Sequence, residues 1–504
     1  MCRLCDAATP AECRFTWSAD TAAASGGARI ELPKGLADGV SRGQAIALAT
    51  LPKGVGEAGH RTLIKGGIVM SMDPGVGNFV KGDVLIEGAK IRAVAASIDA
   101  PGATVIDAAG RIVMPGFVDT HHHQFETALR STLAHAILIN DGKPENVRNY
   151  YETMLLNFSQ RLKPDDVYIN EVFGSLSQLD AGVTTVMDVS QIHHSPEHSE
   201  AAIEGLRDAG RRAVFGYFEG WGDATKYPGD AMRLKEQHFA SDDQMLTMVM
   251  GGEIYLPGHE AAWKVGRELG IPIALHVVGT FGMAPTFEEL AKAGQFGSDN
   301  IFIHMTGMTD VAWKIAADAG AHISLSVPIE MQMRHGTPPI QKALDLGMSL
   351  SLSSDVECTM TADMFTQMRG LITLQRMHAN EKALAGEDHP ALMQSADALR
   401  HATIEGARGL KLDHKTGSLT PGKEADIILL DAEALNVAPL NNASGAVVTL
   451  MERSNVETVI VGGRIRKWQG QLLGHDIGKL RDELERSRDR IFEAAEIPHD
   501  LFAI

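Results

Sequence analysis

The chain has 504 residues, 44% hydrophobic and 22% charged, with a formal net charge of −18. That length exceeds one small core and predicts two to four domains, or one large barrel with additions. The acidic balance leaves no electrostatic footprint for nucleic acid and disfavours anionic membranes, and no stretch reaches the roughly 20 apolar residues of a membrane helix.

In chain order, residues 1–60 are rich in Ala, Gly and Ser with little periodicity, and read as an N-terminal extension draped on the body. Cys2, Cys5 and Cys13 fall here, and Cys358 stands alone. "MCRLC" holds one C-x-x-C pair without a second, so reduced thiols are expected rather than a metal knuckle or a disulfide framework. The weak apolar run "GQAIALATL" lacks the charged flank of an export signal. The expected location is the cytoplasm.

Residues 61–113 carry short β-type runs, "RTLIKGGIVMSM", "GDVLIEGAKIRAVA" and "ATVIDAAGRIVMPG". Residues 415–470 carry similar ones, "GSLTPGKEADIILLDA" and "VETVIVGGRIRKW". Short strands need partners, so the two ends are expected to form one small β-sandwich. Between them, over residues 114–414, eight strand-like runs alternate with helical ones: "IVMPGFVDT", "TTVMDVS", "RAVFGYF", "LTMVMGG", "PIALHVV", "NIFIHMT", "HISLSVP" and "SLSLSSD". That alternation predicts an α/β fold, a (β/α)₈ TIM barrel. Residues 471–504 read as a charged amphipathic helical tail docked on the surface.

Barrels of this kind carry their chemistry at the C-terminal ends of strands. "DTHHH" ends the first run, and strand alternation points His121 and His123 to one side and His122 away. His276, His304 and Asp355 each follow an apolar run directly, at the ends of the fifth, sixth and eighth strands. N and O ligands converging from four strand ends predict a metal site with an open position.

These pieces resemble the amidohydrolase superfamily, in the branch of the chlorotriazine hydrolases and the cytosine and guanine deaminases. The resemblance spans roughly residues 61–470. It rests on "PGFVDTHHH", "LHVV", "FIHM", "SSDV" with "DMFTQMR", and "GSLTPGKEADIILLD". It implies a distorted barrel with a split sandwich, and His121, His123, His276 and Asp355 as ligands. Binuclear members use a strand-four lysine, which "LTMVMGG" lacks, so one divalent ion is implied. Zn²⁺ is the first choice, with Fe²⁺, Co²⁺ or Mn²⁺ also suited to the ligand set. Asp355 is then the general base toward a water that the ion acidifies, and His304 orients that water or stabilises developing charge. Family members are commonly homo-oligomers.

One departure stands out. Deaminases of this branch carry Glu three residues after the strand-five histidine, and this chain has Gly279. Glu330 and His335, after strand seven, are the candidates to compensate, Glu330 as proton shuttle or substrate ligand. The alternative for Glu330 is an ion pair with Arg334. His193 and His194 after strand two, with Gln124 and Trp221, are further substrate-contact candidates on position alone. The expectation is a hydrolase that cleaves a C–N bond of a small molecule: a ring amine, amide, urea or carbamate. The alternatives are release of halide or thiolate from an activated heterocycle, or a non-catalytic scaffold of the same fold. Metal analysis separates the scaffold from either enzyme.

Overall fold

The computed structural model describes residues 42–241 and 243–502. The three N-terminal cysteines lie outside the described residues. The run expected as a single strand, "IVMPGFVDT", is two strands in two sheets, Arg111–Pro115 and Phe117–His122. The break is Gly116. A Cβ there would stand 2.2 Å from the side chain of Thr184, so only glycine lets the chain pass between the sheets.

The first sheet contains β1 (Arg61–Met70), β2 (Asn78–Glu87), β3 (Lys90–Ala95), β4 (Thr104–Asp107) and β5 (Arg111–Pro115). The second contains β6 (Phe117–His122), β7 (Val183–Ser190), β8 (Arg212–Tyr217), β9 (Leu246–Met250), β10 (Ile273–Val278), β11 (Asn300–Thr306), β12 (His322–Leu325) and β13 (Leu350–Leu352). The chain then returns to the first sheet through β14 (Ile427–Asp431), β15 (Val456–Val461), β16 (Arg464–Trp468) and β17 (Gln471–Leu472). Both chain ends therefore share one hydrogen-bonded sheet, in the order β17-β16-β15-β14-β5-β1-β2-β3 with β4 on β1. Ile64, Val84, Ile106, Val113, Ile427 and Ile460 fill its own core. The helix Arg42–Thr50 packs Ala47 into that core.

The second sheet runs parallel from β6 to β13 in sequence order. Helices form where the pattern turns from period 2 to period 3.6. Thr309 caps Asp310–Asp318 by accepting the amide of Ala312, which satisfies one orphan donor of the first turn. The barrel closes at its top, where His122 bridges Asp355. Asp355 N donates to His121 O at 3.0 Å, and His123 N donates to Asp355 O at 2.9 Å. Closure thus sets Asp355 against the histidines of β6. "HISLSVP" differs from expectation: the strand stops at Leu325, and Val327–Gln332 is a helix. Pro328, without an amide proton and with a fixed φ, suits that first turn. The C-terminal helix Ile477–Ala494 buries Ile491 and Phe492, and Ser487 bonds Asp166.

Candidate metal centre and cavity

A register shift between Asp119 and His122 in β6 lets Thr120 and His121 both face inward. Thr120 bonds Ser324 and Ser351 inside the barrel, 2.7 Å from each hydroxyl. His121 Nε2 lies 3.0 Å from His123 Nε2 and 3.1 Å from His276 Nε2. Asp355 Oδ1 lies 3.7 and 3.6 Å from the first two nitrogens. Ligands about 2.0–2.1 Å from a tetrahedral ion stand about 3.3 Å apart; His121, His123 and His276 form one group near that spacing, and Asp355 groups with His121 and His304.

Protonation agrees. Burial, then the neighbouring imidazoles, holds His121, His123 and His304 well below the usual histidine value. Burial pushes His276 down to about 3. All are neutral, the state that ligates. His123 Nδ1–H donates to Val189 O at 2.6 Å, and His276 Nδ1–H to Glu253 Oε1. Each tautomer is thereby fixed with its Nε2 lone pair inward. Asp355 Oδ2 is buried without a hydrogen-bond partner, and burial raises this carboxyl well above its usual value, followed by the charges of Glu126 and Asp119. A cation would reverse that direction. Residues with left-handed φ gather here: His304 at 69°, Met305 at 51° and Asp355 at 62°. Such backbone costs about 1–3 kcal/mol per residue and persists where the surroundings over-determine it.

The centre forms one wall of a cavity of about 40 Å³. Leu138, Tyr150 and Leu155 come from the long segment between β6 and the helix Pro164–Asp180; Phe281, Met283 and Met333 add apolar wall. The polar lining beyond the ligands and His304 is Tyr150, Gln191, Tyr255 and His335. Neither ring nitrogen of the buried His335 has a partner, which suits a substrate contact.

Other candidates sit elsewhere. Glu330 does not line the cavity. It stands behind His304, Oε1 3.1 Å from Nδ1, and accepts Ser326 N at 2.9 Å. Arg334 pairs with Asp141 rather than with Glu330. Gln124 is fully buried, its amide engaged with Glu171, Ser175 and Arg211. His193 bonds Ser199 and Gly216 O, 3.0 Å each, through its two nitrogens. His194 donates to Ser159 O and accepts Trp221 N. These four residues hold loops in place and line no part of the cavity. His122 turns away from the centre, with Nδ1 3.1 Å from Ser354 Oγ. At Gly279 a Cβ would stand 2.8 Å from Gly307 Cα, so the backbone itself leaves no room for the absent carboxylate.

Sequence reasoning missed Glu253 and Glu219. Glu253 N donates to Glu219 Oε1 at 2.8 Å. Both lie within three residues of a barrel strand's end, in "MGGEIY" and "YFEGW", and the strand-end rule extended to such carboxylates would have found them. Gln191, directly after β7, carries the same signal. Tyr150 and Glu126 carried no such signal.

Similarity now agrees with this geometry. The family model described as "Amidohydrolase family" matches residues 112–255 and 260–466. The chain belongs to that family. It is 27% identical over 445 residues to a 5-methylthioadenosine/S-adenosylhomocysteine deaminase of Pyrococcus furiosus, covering 84% of this chain and 98% of that one. It is 25% identical over 454 residues to a 5′-deoxyadenosine deaminase of Methanosarcina mazei, covering 85% and 98%. In structure it is similar to a zinc-bound adenosine deaminase of Xanthomonas campestris (TM-score 0.73, 22% identity, 86% and 98% covered). It is also similar to a zinc-complexed atrazine chlorohydrolase of Arthrobacter aurescens (TM-score 0.75, 19% identity, 85% and 100% covered). The amidohydrolase is an enzyme, a metal-dependent hydrolase acting on C–N bonds of non-peptide substrates. No helix among the described residues is long and apolar enough to cross a membrane.

Proposed function

We propose that this amidohydrolase removes an amino group from a small heteroaromatic ring, with His121, His123, His276 and Asp355 holding one divalent ion. The observation that carries the reading is the convergence of three imidazole Nε2 atoms and Asp355 on one point of the cavity wall. The ring amine ranks above amide, urea or carbamate because the similar chains are named deaminases and the walls are apolar and aromatic. Halide release is the second reading, favoured by the likeness to a chlorohydrolase.

A divalent ion held by His121, His123, His276 and Asp355 would supply a water acidified toward a pKa of about 7. Asp355 would take a proton from a water in the cavity as general base toward the ring carbon. His304, its Nε2 3.6 Å from Asp355 Oδ2 and its Nδ1 held by Glu330, orients the attacking water. Glu253 keeps His276 in its ligating tautomer. His335 contacts the ring. Room for about 40 Å³ admits only a few waters, so a substrate enters as Leu138, Tyr150 and Leu155 shift outward.

Zinc as the ion follows from the zinc-bound structural neighbours. A cytoplasmic location follows from the scarcity of cysteines, and homo-oligomeric assembly from the family resemblance alone; both belong to the same proposal. The boundaries at residues 61–113, 114–414 and 415–470 belong to it too. The sheet assignment supports them in outline, although the 113/114 boundary falls inside β5 and β17 extends the small sheet to Leu472. The test is metal analysis of purified protein, then a screen of aminated purines, pyrimidines and triazines beside amides, ureas and carbamates. About one ion per chain and ammonia release from ring amines alone are expected. Two ions per chain, or turnover confined to amides, would defeat the reading.

A further inference from the structure

The barrel wall is split on one side. β8 and β9 pair along five residues, from Ala213 with Leu246 to Tyr217 with Met250. β9 and β10 pair only through Met250 and Ile273 among the described residues. Pro272, directly before β10, has no amide proton to extend that ladder; its carbonyl accepts the Met250 amide at 2.9 Å. The start of β9, residues 246–249, therefore borders a cleft rather than a neighbouring strand. The cleft has a volume of about 270 Å³. It opens at the N-terminal ends of the strands, opposite the metal centre.

Its floor is apolar, built by Val214, Met248, Val249, Ile271, Ile301 and Leu412. Its rim carries Lys235, Lys411 and His414, and no carboxylate among the described residues lines it. Lys235 is half-buried; Lys411 and His414 are exposed. The chain has 64 acidic residues against 46 basic ones, and the cations around the cleft are paired: Arg267 with Asp299, Arg408 with Glu405 and Asp413, Lys415 with Asp243. Lys235 and Lys411 form no salt bridge among the described residues. Asp299 and Asp413 attract Lys411 from a distance, but Arg267 and Arg408 hold them. Lys411 also occupies a glycine position. After the helix Ile404–Gly409, Lys411 N bonds Arg408 O and Leu412 N bonds Ala407 O, and Lys411 has a φ of 60°. Glycine fills this left-handed position most often, because it has no Cβ to strain. The turn does not call for a lysine; the cleft gains its ammonium.

We propose that this cleft binds a small organic anion, its aryl or alkyl body on the apolar floor and its carboxylate or phosphate against Lys235 and Lys411. Ammonium groups attract either anion as point charges, without a fixed fork geometry, and His414 adds a ring nitrogen at the rim. The occupant fills the split between the two strands that lead to Glu253 and His276. By mass action it stabilises the folded chain. This binding is independent of the reaction at the metal centre.

The test is calorimetric titration of the full, zinc-loaded chain with benzoate, phenyl phosphate, benzamide and inorganic phosphate. Wild type is compared with Lys235→Met, Lys411→Gly and the double variant. Glycine suits the backbone at 411, so that variant keeps the fold. Benzoate or phenyl phosphate should bind at least about tenfold more tightly than benzamide and inorganic phosphate, and should raise the unfolding temperature. Whichever of the two binds more tightly names the anionic group. Each single variant should weaken that binding about tenfold and the double variant about 100-fold, and about 0.5 M salt should weaken it in wild type. Anions that bind no more tightly than benzamide, or inorganic phosphate that matches phenyl phosphate, overturn the proposal. Binding unchanged in the double variant overturns it too, and would place the anion on the metal ion instead.

Discussion

Two buried polar clusters share β6 as a common wall, and they differ in one respect. On the inner side lie His121, His123, His276, His304 and Asp355; on the outer side lie His122, Asp119, Gln124, Glu171, Gln178, Asp188 and Arg211. Both are buried from solvent, and both carry strongly shifted groups. Burial lifts Asp119 to about 6 and Asp188 to about 7, and it lifts Glu171 well above its usual value. The outer cluster is bonded largely within itself, although His122 Nε2 and Arg211 Nε are buried without partners. Gln178 joins Asp119 to Arg211, Gln124 joins Arg211 to Glu171, and Ser190 joins Glu171 to Asp188. The inner cluster leaves Asp355 Oδ2, Glu330 Oε2 and both His335 nitrogens without partners. Burial and perturbed titration mark both clusters. Unpartnered atoms aimed at a common point mark the one that awaits a ligand.

The sharpest way to break the comparison is to cut both sides of β6. His121→Ala and His123→Ala should each empty the metal site, read by elemental analysis, and abolish activity. A chelator should do the same to wild type, with Zn²⁺, Co²⁺ or Mn²⁺ restoring it. His122→Ala should keep the ion and most activity, and lose about 1–3 kcal/mol of stability through the partner left on Ser354. An emptied site in His122→Ala alone would erase the distinction between inner and outer faces.

On the outer side the heaviest single loss should come from Arg211→Met. The guanidinium donates to Gln178 and Gln124 and faces the carboxyls of Asp119, Glu171 and Asp188 without pairing directly with any of them. Its removal leaves the buried amide oxygen of Gln178 without a donor and that of Gln124 with Ser175 alone. A stranded oxygen costs about 1–3 kcal/mol, read as a lower denaturant midpoint. The folded fraction should still carry its ion. Loss of metal with stability intact would mean that the outer cluster serves the ion directly.

How much of this was legible in the sequence follows the same line. A histidine or aspartate directly after an apolar run is visible in one dimension, and the strand-end rule picks out the residues that gather at the centre. Whether a polar atom already has a partner is a three-dimensional fact. Gln124, His193, His194 and Trp221 share the barrel's catalytic end with the cavity, yet each is tied to a neighbour 23 to 87 residues away, Trp221 through its backbone amide. Tyr150 and Glu126 lie in or beside a segment of turns, 3₁₀ and π-helical geometry, where no period points a side chain in any direction. The fold was more legible because alternation of strand and helix survives in composition. Of its misjudged boundaries, Gly116 depends on contact with Thr184 from another strand, and the end of "HISLSVP" at Leu325 on a helix that starts at Val327.

Glu253 tests the border between the clusters at smaller amplitude. It is a buried carboxyl outside the ligand set that acts through the ring of His276. Glu253→Ala should weaken metal affinity by about 10–100-fold, measured by competition with a chromophoric chelator, with the fold preserved. Unchanged affinity would show that the strand itself suffices to hold the ring.

His193 gives the smallest effect and sharpens the outer side. Burial pushes it down to about 3, so the folded state holds a neutral ring while the unfolded chain protonates near 6.5. Between pH 6.5 and 3 the unfolded state therefore binds more protons. The contribution is fully present above pH 6.5 and is lost as pH falls toward 3. The slope is at most about 1.4 kcal/mol per pH unit. His193→Gln removes that titration. Denaturant unfolding from pH 7 to pH 4 should show a shallower loss of stability in the variant, on a lower baseline from the altered bonds to Ser199 and Gly216. Its hydrolytic activity at pH 7 should stay within a few-fold of wild type, because the ring touches no wall of the cavity. A parallel pH dependence in both proteins would mean that His193 is protonated in the native state, and one of its two hydrogen bonds would then have the opposite donor.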